Sequence, residues 1–279
     1  MADAMPTKSD LGLRRVVLAL DATVDFVPAI EMAAATAAAF GTALSALFFE
    51  DETLRRLASL PFAQQMDMVT ARRSQFDEAE LRAQSSLLER RMRRELARIA
   101  GLHELSWSFE ALRTTISTNA VSLTEADLLV IAAASRPMAS GLRIESAWWR
   151  MVGQVHRPLL LVPERPEVGG PVAAMYEATE AGQRTLGTSI RIARAGKRPL
   201  IVILMQDASA EEQSEIKAAA QAGDGKVTLH TLRPASYEAL RALLLSSRAT
   251  LLVVGRDGKD PAQPADLLRL SASSALLIV

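Results

Sequence analysis

The residues whose types and spacing could do chemistry sit at the ends of short apolar runs. Gly255-Arg-Asp-Gly258 directly follows the run Leu251–Val254 and reads by itself as a tight turn after a strand. Gly182-Gln-Arg-Thr-Leu-Gly187-Thr188-Ser189 imitates a phosphate-binding loop, but Thr188 stands where the lysine belongs. Without that lysine the β- and γ-phosphates lose their main counter-charge. The stretch also overlaps the start of a helical pattern, so the spacing predicts a helix containing two glycines. His103, His156 and His230 lie far apart and match no zinc-binding spacing. Asp257, Asp260 and Asp266 lack the spacing of a calcium loop, sit among Lys259 and two prolines, and read as an exposed loop. No G-x-S-x-G elbow offers a hydrolase serine. The absence of cysteine removes disulfides, thiolate nucleophiles and Cys-based metal sites together. No catalytic residue and no metal site emerges, and enzymatic activity is not expected.

The elements that would position these residues occur twice. Arg15-Val-Val-Leu-Ala-Leu-Asp21 is an apolar strand ending on an acid, and Pro171-Val-Ala-Ala-Met-Tyr-Glu177 repeats it. Each is followed by a helical spacing: Val27, Ile30, Ala34, Ala37 and Ala38 in the first copy, Leu186, Ile190 and Ala193 in the second. Gly41 and Gly196 fall just past the two helix ends. The strands Ala43–Phe49 and Leu200–Met205 come next. Each copy closes with two more apolar runs, Asp127–Ala132 and Leu159–Val162 in the first, Leu251–Val254 and Leu276–Val279 in the second. Alternating strands and helices with unbroken apolar strands predict parallel sheets covered on both faces. A repeat on this scale sets the architecture before any single residue is interpreted.

Composition narrows the function classes. The 279 residues fit two domains of ordinary size. Hydrophobic residues make up 49% and aromatics 4%, so the cores must be built from Ala, Leu, Val and Ile. Thirty-two basic residues balance 32 acidic ones, which argues against nucleic-acid binding. No secretory leader stands at residues 1–8, and no apolar run approaches the roughly 20 residues of a membrane helix; a soluble cytoplasmic protein is expected.

The first copy is longer because of a charge-rich stretch, Ser74–Ile99, predicted as one long helix. Its run Glu89-Arg-Arg-Met-Arg-Arg-Glu95 reads as a solvated helix face rather than a basic patch. Pro163-Glu-Arg-Pro-Glu-Val-Gly-Gly-Pro171 has the composition of a short linker. Trp148 and Trp149 are adjacent in a predicted helix, so either one packs inside while the other meets the opposite copy or a second chain, or both are buried at the interdomain seam.

The strand ending Leu20-Asp21-Ala22-Thr23, the late strand Asp127–Ala132 and the segment Arg157-Pro158-Leu-Leu-Leu-Val162 together resemble the universal stress protein family. The resemblance implies two tandem domains, 13–164 with a helical insertion at about 52–100 and 171–279. Each is an α/β domain with a five-stranded, mostly parallel sheet and helices on both faces, of the nucleotide-binding type. It further implies that the last strands, Leu159–Val162 and Leu276–Val279, pair to join the two copies or two chains. Nucleotide-binding members carry G-x2-G-x9-G-[S/T] after the fourth strand, where glycines let the backbone approach phosphates. In the first copy those positions hold Ala132, Ser135, Glu145 and Ser146, and only Ser146 fits. In the second, Gly255 and Gly258 keep the first two glycines, the later positions do not match, and Glu177 replaces Asp21. The resulting expectation is a non-enzymatic stress-response or regulatory interaction module with degenerate nucleotide sites, acting on a protein partner or as a homo-oligomer. The alternative is residual ATP or AMP binding through Asp21, Ser135 and Ser146, or through Gly255 and Gly258.

Overall fold

The computed structural model describes residues 11–21, 25–50, 64–66, 73–75, 78–112, 127–133, 157–163, 166–167, 169–205, 209–221, 225–233, 236–256 and 274–279. In the first half these form β1 (Arg15–Asp21), α1 (Phe26–Phe40), β2 (Ala43–Phe49), β3 (Gln64–Met66), β4 (Arg73–Gln75), α2 (Glu78–Leu102), β5 (Trp107–Leu112), β6 (Asp127–Ala133) and β7 (Leu159–Pro163). The second half forms β8 (Val172–Tyr176), α3 (Glu180–Ala195), β9 (Leu200–Leu204), α4 (Ala210–Gln221), β10 (Val227–Thr231), α5 (Tyr237–Ser247), β11 (Leu251–Val254) and β12 (Ala275–Ile278).

Ten strands make one sheet in the order β10-β9-β8-β11-β12-β7-β6-β1-β2-β5, and β3 and β4 form a separate antiparallel pair. Within each half all neighbours are parallel. The strands are apolar throughout because both faces are covered. Val16, Leu18 and Leu20 of β1 face a core shared with α1 to α4, while Val17 and Ala19 face a second core that includes Leu240 and Leu244 of α5. Each half has the winding order 3-2-1-4-5, the doubly wound α/β arrangement expected from the strand and helix alternation.

The halves meet through their last strands. β12 runs antiparallel to β7, with Leu276 opposite Leu161, Leu277 opposite Leu160 and Ile278 opposite Leu159. The pairing therefore joins the two copies within one chain. It corrects the expectation for two chains: β7 lies between β6 and β12, and β12 between β11 and β7, so neither is an edge to offer a second molecule. Among the described residues the sheet ends at β5 and β10.

Helix ends follow local chemistry. Asp25 caps α1 by accepting from the Val27 N–H at 3.4 Å, and Gly41 leaves the helix in the left-handed region at φ 63°. Ser209 and Glu212 form a reciprocal capping box on α4, with bonds of 2.8 and 3.2 Å. After α3, Gly196 has a right-handed backbone and Lys197 takes the positive φ instead. The long helix also differs from its predicted span: Arg73–Gln75 is a strand, and α2 runs from Glu78 to Leu102. Gly101 does not end it, because the chain leaves through Glu104 at φ 54°, with the Leu105 N–H donating to the Ala100 carbonyl at 3.0 Å.

A second tie between the halves is Arg191 of α3. Its Nε donates to the Ala39 carbonyl at 2.9 Å and its Nη2 to the Phe40 carbonyl at 3.1 Å, with the guanidinium 4.9 Å from the centre of the Phe40 ring. The last turn of α1 contains no basic residue of its own, so a cation from the other half satisfies its terminal carbonyls and complements its dipole. Arg191→Met keeps the apolar stem and removes this cap. We expect it to lower stability by about 2 kcal/mol, read as a shift in the urea midpoint at unchanged slope.

Candidate functional site

In a doubly wound sheet, ligands bind outside the carboxyl ends of the strands where the winding reverses. Here that point falls between β8 and β11 in the second half and between β1 and β6 in the first. The second is described on both sides. Met175, Glu177, Thr179, Ala181 and Gly182, from the turn between β8 and α3, and Val254 and Gly255, from the end of β11, line a cleft of about 200 Å³.

The turn between β8 and α3 is built on tight backbone contacts. The Thr179 N–H donates to the Glu177 carbonyl at 2.7 Å. Thr179 then caps α3, its Oγ1 accepting from the Gly182 N–H at 3.1 Å. A side chain on Gly182 would fall on the Glu177 carbonyl oxygen, so α3 can start this close to β8 only with glycine there. The apparent phosphate loop Gly182–Ser189 lies inside α3, where Thr185, Thr188 and Ser189 are buried.

Gly255 has a specific reason of its own. A Cβ there would lie 2.9 Å from Thr185 Oγ1 and 3.0 Å from the Ala181 backbone. Its φ is not in the left-handed region, unlike Gly12, Gly41 and Gly169. The missing side chain thus admits α3 against the end of β11, and helix packing accounts for the glycine. Beyond it, the Arg256 N–H donates to the Val279 carbonyl at 2.7 Å, and the Val279 N–H to the Val254 carbonyl at 2.9 Å. Burial pushes the Arg256 guanidinium below its ordinary value.

Electrostatically the described lining sets one acidic residue beside a helix start. Glu177 is the single titratable side chain among its described lining residues. Glu180, in the first turn of α3, adds a second acid and lies 3.5 Å from Arg184. Acids at this position complement the helix dipole. A phosphate brought beside Glu177 would meet a like charge, worth roughly 1 kcal/mol of repulsion at about 4 Å in water and several times that in a cleft. The volume also lies below the roughly 300 Å³ at which small-molecule pockets begin.

The first half shows less of its site. Asp21 ends β1, whose neighbour β6 carries Ala132, buried and paired with Val162 of β7. Ser135, Glu145, Ser146, Trp148, Trp149, His156, Gly258, Asp257, Asp260 and Asp266 lie outside the described residues, as does the side chain of Asp21. His103 and His230 are both exposed, one after α2 and one on the edge strand β10. Among the described residues no group of three His, Asp or Glu side chains could hold a metal ion, and no helix is long and apolar enough to cross a membrane.

Several cations in and just beyond the basic run on α2 have partners within the chain. Arg93 lies 3.6 Å from Glu89 and 4.7 Å from the Phe109 ring centre, Arg98 lies 2.8 Å from Glu95, and Arg91 stacks over Phe26 at 5.3 Å. Tyr176, the last residue of β8, is titrationally linked to α4. Burial first, then the charges of Glu212 and Glu215, raise its phenol above the ordinary value. A raised acid favours the protonated, folded form, so its contribution is full below the unfolded value of about 10 and is lost as pH climbs through the folded value. Tyr176→Phe is expected to flatten the alkaline decline of stability above about pH 10, measured by urea midpoints on either side of that pH.

No family model and no curated protein matches the sequence. Solved structures do match it along nearly its whole length. A candidate universal stress protein from Pseudomonas aeruginosa aligns with a TM-score of 0.58 at 14% identity, covering 98% of this chain and 95% of that one. A functionally unknown protein from Pseudomonas aeruginosa aligns at 0.56 and 13%, covering 96% and 93%. A universal stress protein from Archaeoglobus fulgidus aligns at 0.54 and 12%, covering 97% and 98%. At these identities the likeness is one of fold. The chain is built on the universal stress protein fold, with five strands of the sheet supplied by each half.

Proposed function

We propose that this protein is a non-enzymatic regulatory interaction module of the universal stress type, working in the cytoplasm with weakened nucleotide sites. Its two domains span 13–164, with the helical insertion at about 52–100, and 171–279. One observation carries the reading: the switch-point cleft of the second half is small, has the acid Glu177 among its lining residues, and is bounded by a Gly255 whose missing side chain faces α3. A cleft with one titratable group among its described lining residues has no acid–base pair there, and its carboxylate opposes phosphate. What is preserved in both halves is the framework that joins them.

The second reading is retained nucleotide binding, ATP or AMP held through Asp21, Ser135 and Ser146 in the first domain or Gly255 and Gly258 in the second. The position of the cleft at the start of a capped helix, where an anion finds N–H donors, favours it. Protein purified without added nucleotide, denatured and analysed by chromatography with mass detection, separates the two. The leading reading expects no stoichiometric nucleotide in the supernatant; one nucleotide per chain would replace it with the second. Under the second reading Gly258→Glu abolishes that recovery.

A further inference from the structure

The long helix α2 has two opposite faces with different fates. Met92, Leu96, Ile99 and Ala100 are buried against the first half. On the opposite side, Glu80, Ala83, Leu87, Arg90 and Arg94 are all exposed, and Leu87 keeps 63% of its surface in solvent. These five recur at spacings of three and four residues, so they form one stripe along the helix. The neighbouring cations Arg91, Arg93 and Arg98 hold partners within the chain. Arg90 and Arg94, on the stripe itself, have none among the described residues.

The stripe is self-complementary in charge. Glu80 and Arg94 stand seven residues to either side of Leu87, about 10 Å each way along the axis. A second copy laid antiparallel, with its two-fold axis at Leu87, brings Leu87 onto the partner copy's Leu87. Glu80 of each copy then meets Arg94 of the other, and the aliphatic stem of Arg90 covers Ala83. Glu80 accepts from Gln84 Nε2 at 3.2 Å and has a further interaction within the chain, and the two oxygens of a carboxylate can take several donors at once. A parallel arrangement would set Glu80 against Glu80 and Arg94 against Arg94. Charge alone therefore selects the antiparallel, two-fold pairing, which is the geometry of a homodimer.

We infer that the outer stripe of α2, from Glu80 to Arg94, is a docking surface for a second copy of this chain. The inference rests on the interaction-module reading and names the partner. A two-helix contact of this length is smaller than a standard stable interface, so the dimer is weak and forms with rising concentration.

Sedimentation velocity of the full chain over a wide dilution series tests it. Wild type should pass from monomer to dimer. Arg94→Glu and Glu80→Arg should each weaken the dimer at least about tenfold, since each acts twice across the two-fold. Glu80→Arg combined with Arg94→Glu should restore it. Both positions are exposed, so thermal melts of all variants should match wild type. A wild type that stays monomeric at every concentration overturns the proposal, as do single variants that dimerise normally or a double variant that does not recover. Nucleotide release is read separately: a monomer that carries no nucleotide refutes this docking and leaves the interaction-module reading in place.

Discussion

Gly182→Ala is expected to lower the free energy of unfolding by about 3 kcal/mol. The sign is the reverse of the gain of roughly 1 kcal/mol that the same exchange brings in an ordinary helix interior. The difference lies in what the added methyl meets. At Gly182 it would fall on the Glu177 carbonyl oxygen and within 2.9 Å of that residue's backbone carbon and nitrogen. The carbonyl cannot turn aside without breaking its 2.7 Å bond from the Thr179 N–H, and that residue caps α3. Relief thus requires α3 to move off the end of β8, which also deforms the cleft. Gly101→Ala, in α2, is the internal control: nothing lies within 4 Å of the new methyl, and a gain of up to ~1 kcal/mol is expected. Paired urea titrations at constant slope would check both signs. A neutral Gly182→Ala would mean that the strand–helix turn is not held as closely as its bonds indicate.

Arg198→Met should lower stability by a similar amount, about 3 kcal/mol, equivalent to roughly 6–12 °C in Tm for a chain of this size. Arg198 follows α3 and reaches back to the junction between the halves. Its Nε donates to the Gly170 carbonyl at 2.6 Å, and its Nη2 to Thr250 Oγ1 at 2.6 Å and to the Pro171 carbonyl at 3.4 Å. Gly170 itself is pressed against Thr250 and the Arg248 carbonyl, with no room for a side chain. The guanidinium therefore fixes the end of the linker against the segment that enters β11. Burial pushes it below its ordinary value, a penalty offset by charge-assisted bonds. Methionine fills the space of the stem but takes the donor from the Gly170 carbonyl and from the buried Thr250 hydroxyl, while the Pro171 carbonyl keeps the Thr250 N–H at 3.0 Å. Loss of stability close to zero would show that solvent replaces the clamp without penalty.

Much of this fold was legible in the sequence because it rests on local pattern. The apolar runs Val16–Leu20 and Val172–Tyr176 declared strands buried on both faces, and the stretch 26–40 carried its own helical spacing and terminator in Gly41. The pairing of the last strands followed from resemblance, and the structure places both ends of it in one chain. Contacts between distant segments were not legible. Arg191 and Arg198 have the composition of exposed helix and turn residues, and only their partners, more than 25 residues away, make them structural. The clearest signal available was Gly170-Pro171 itself, a junction too short to stay loose. Gly255 shows the other kind of difficulty: a glycine after a strand looks the same whether phosphate or a helix lies against it, and only the structure shows that a Cβ there would come within 2.9 Å of Thr185 Oγ1 on α3. The start of α2 was misplaced because the charged run from Ser74 onward is helical in composition, whereas Arg73–Gln75 is held as a strand by Gln64–Met66.

The central claim is that a duplicated framework has been retained while its phosphate-binding capacity has weakened. Calorimetric titration of the full chain with ATP and with AMP, each with magnesium, tests it most directly. The account predicts no saturable heat at micromolar nucleotide with either ligand. Micromolar binding at one or two equivalents per chain would contradict it.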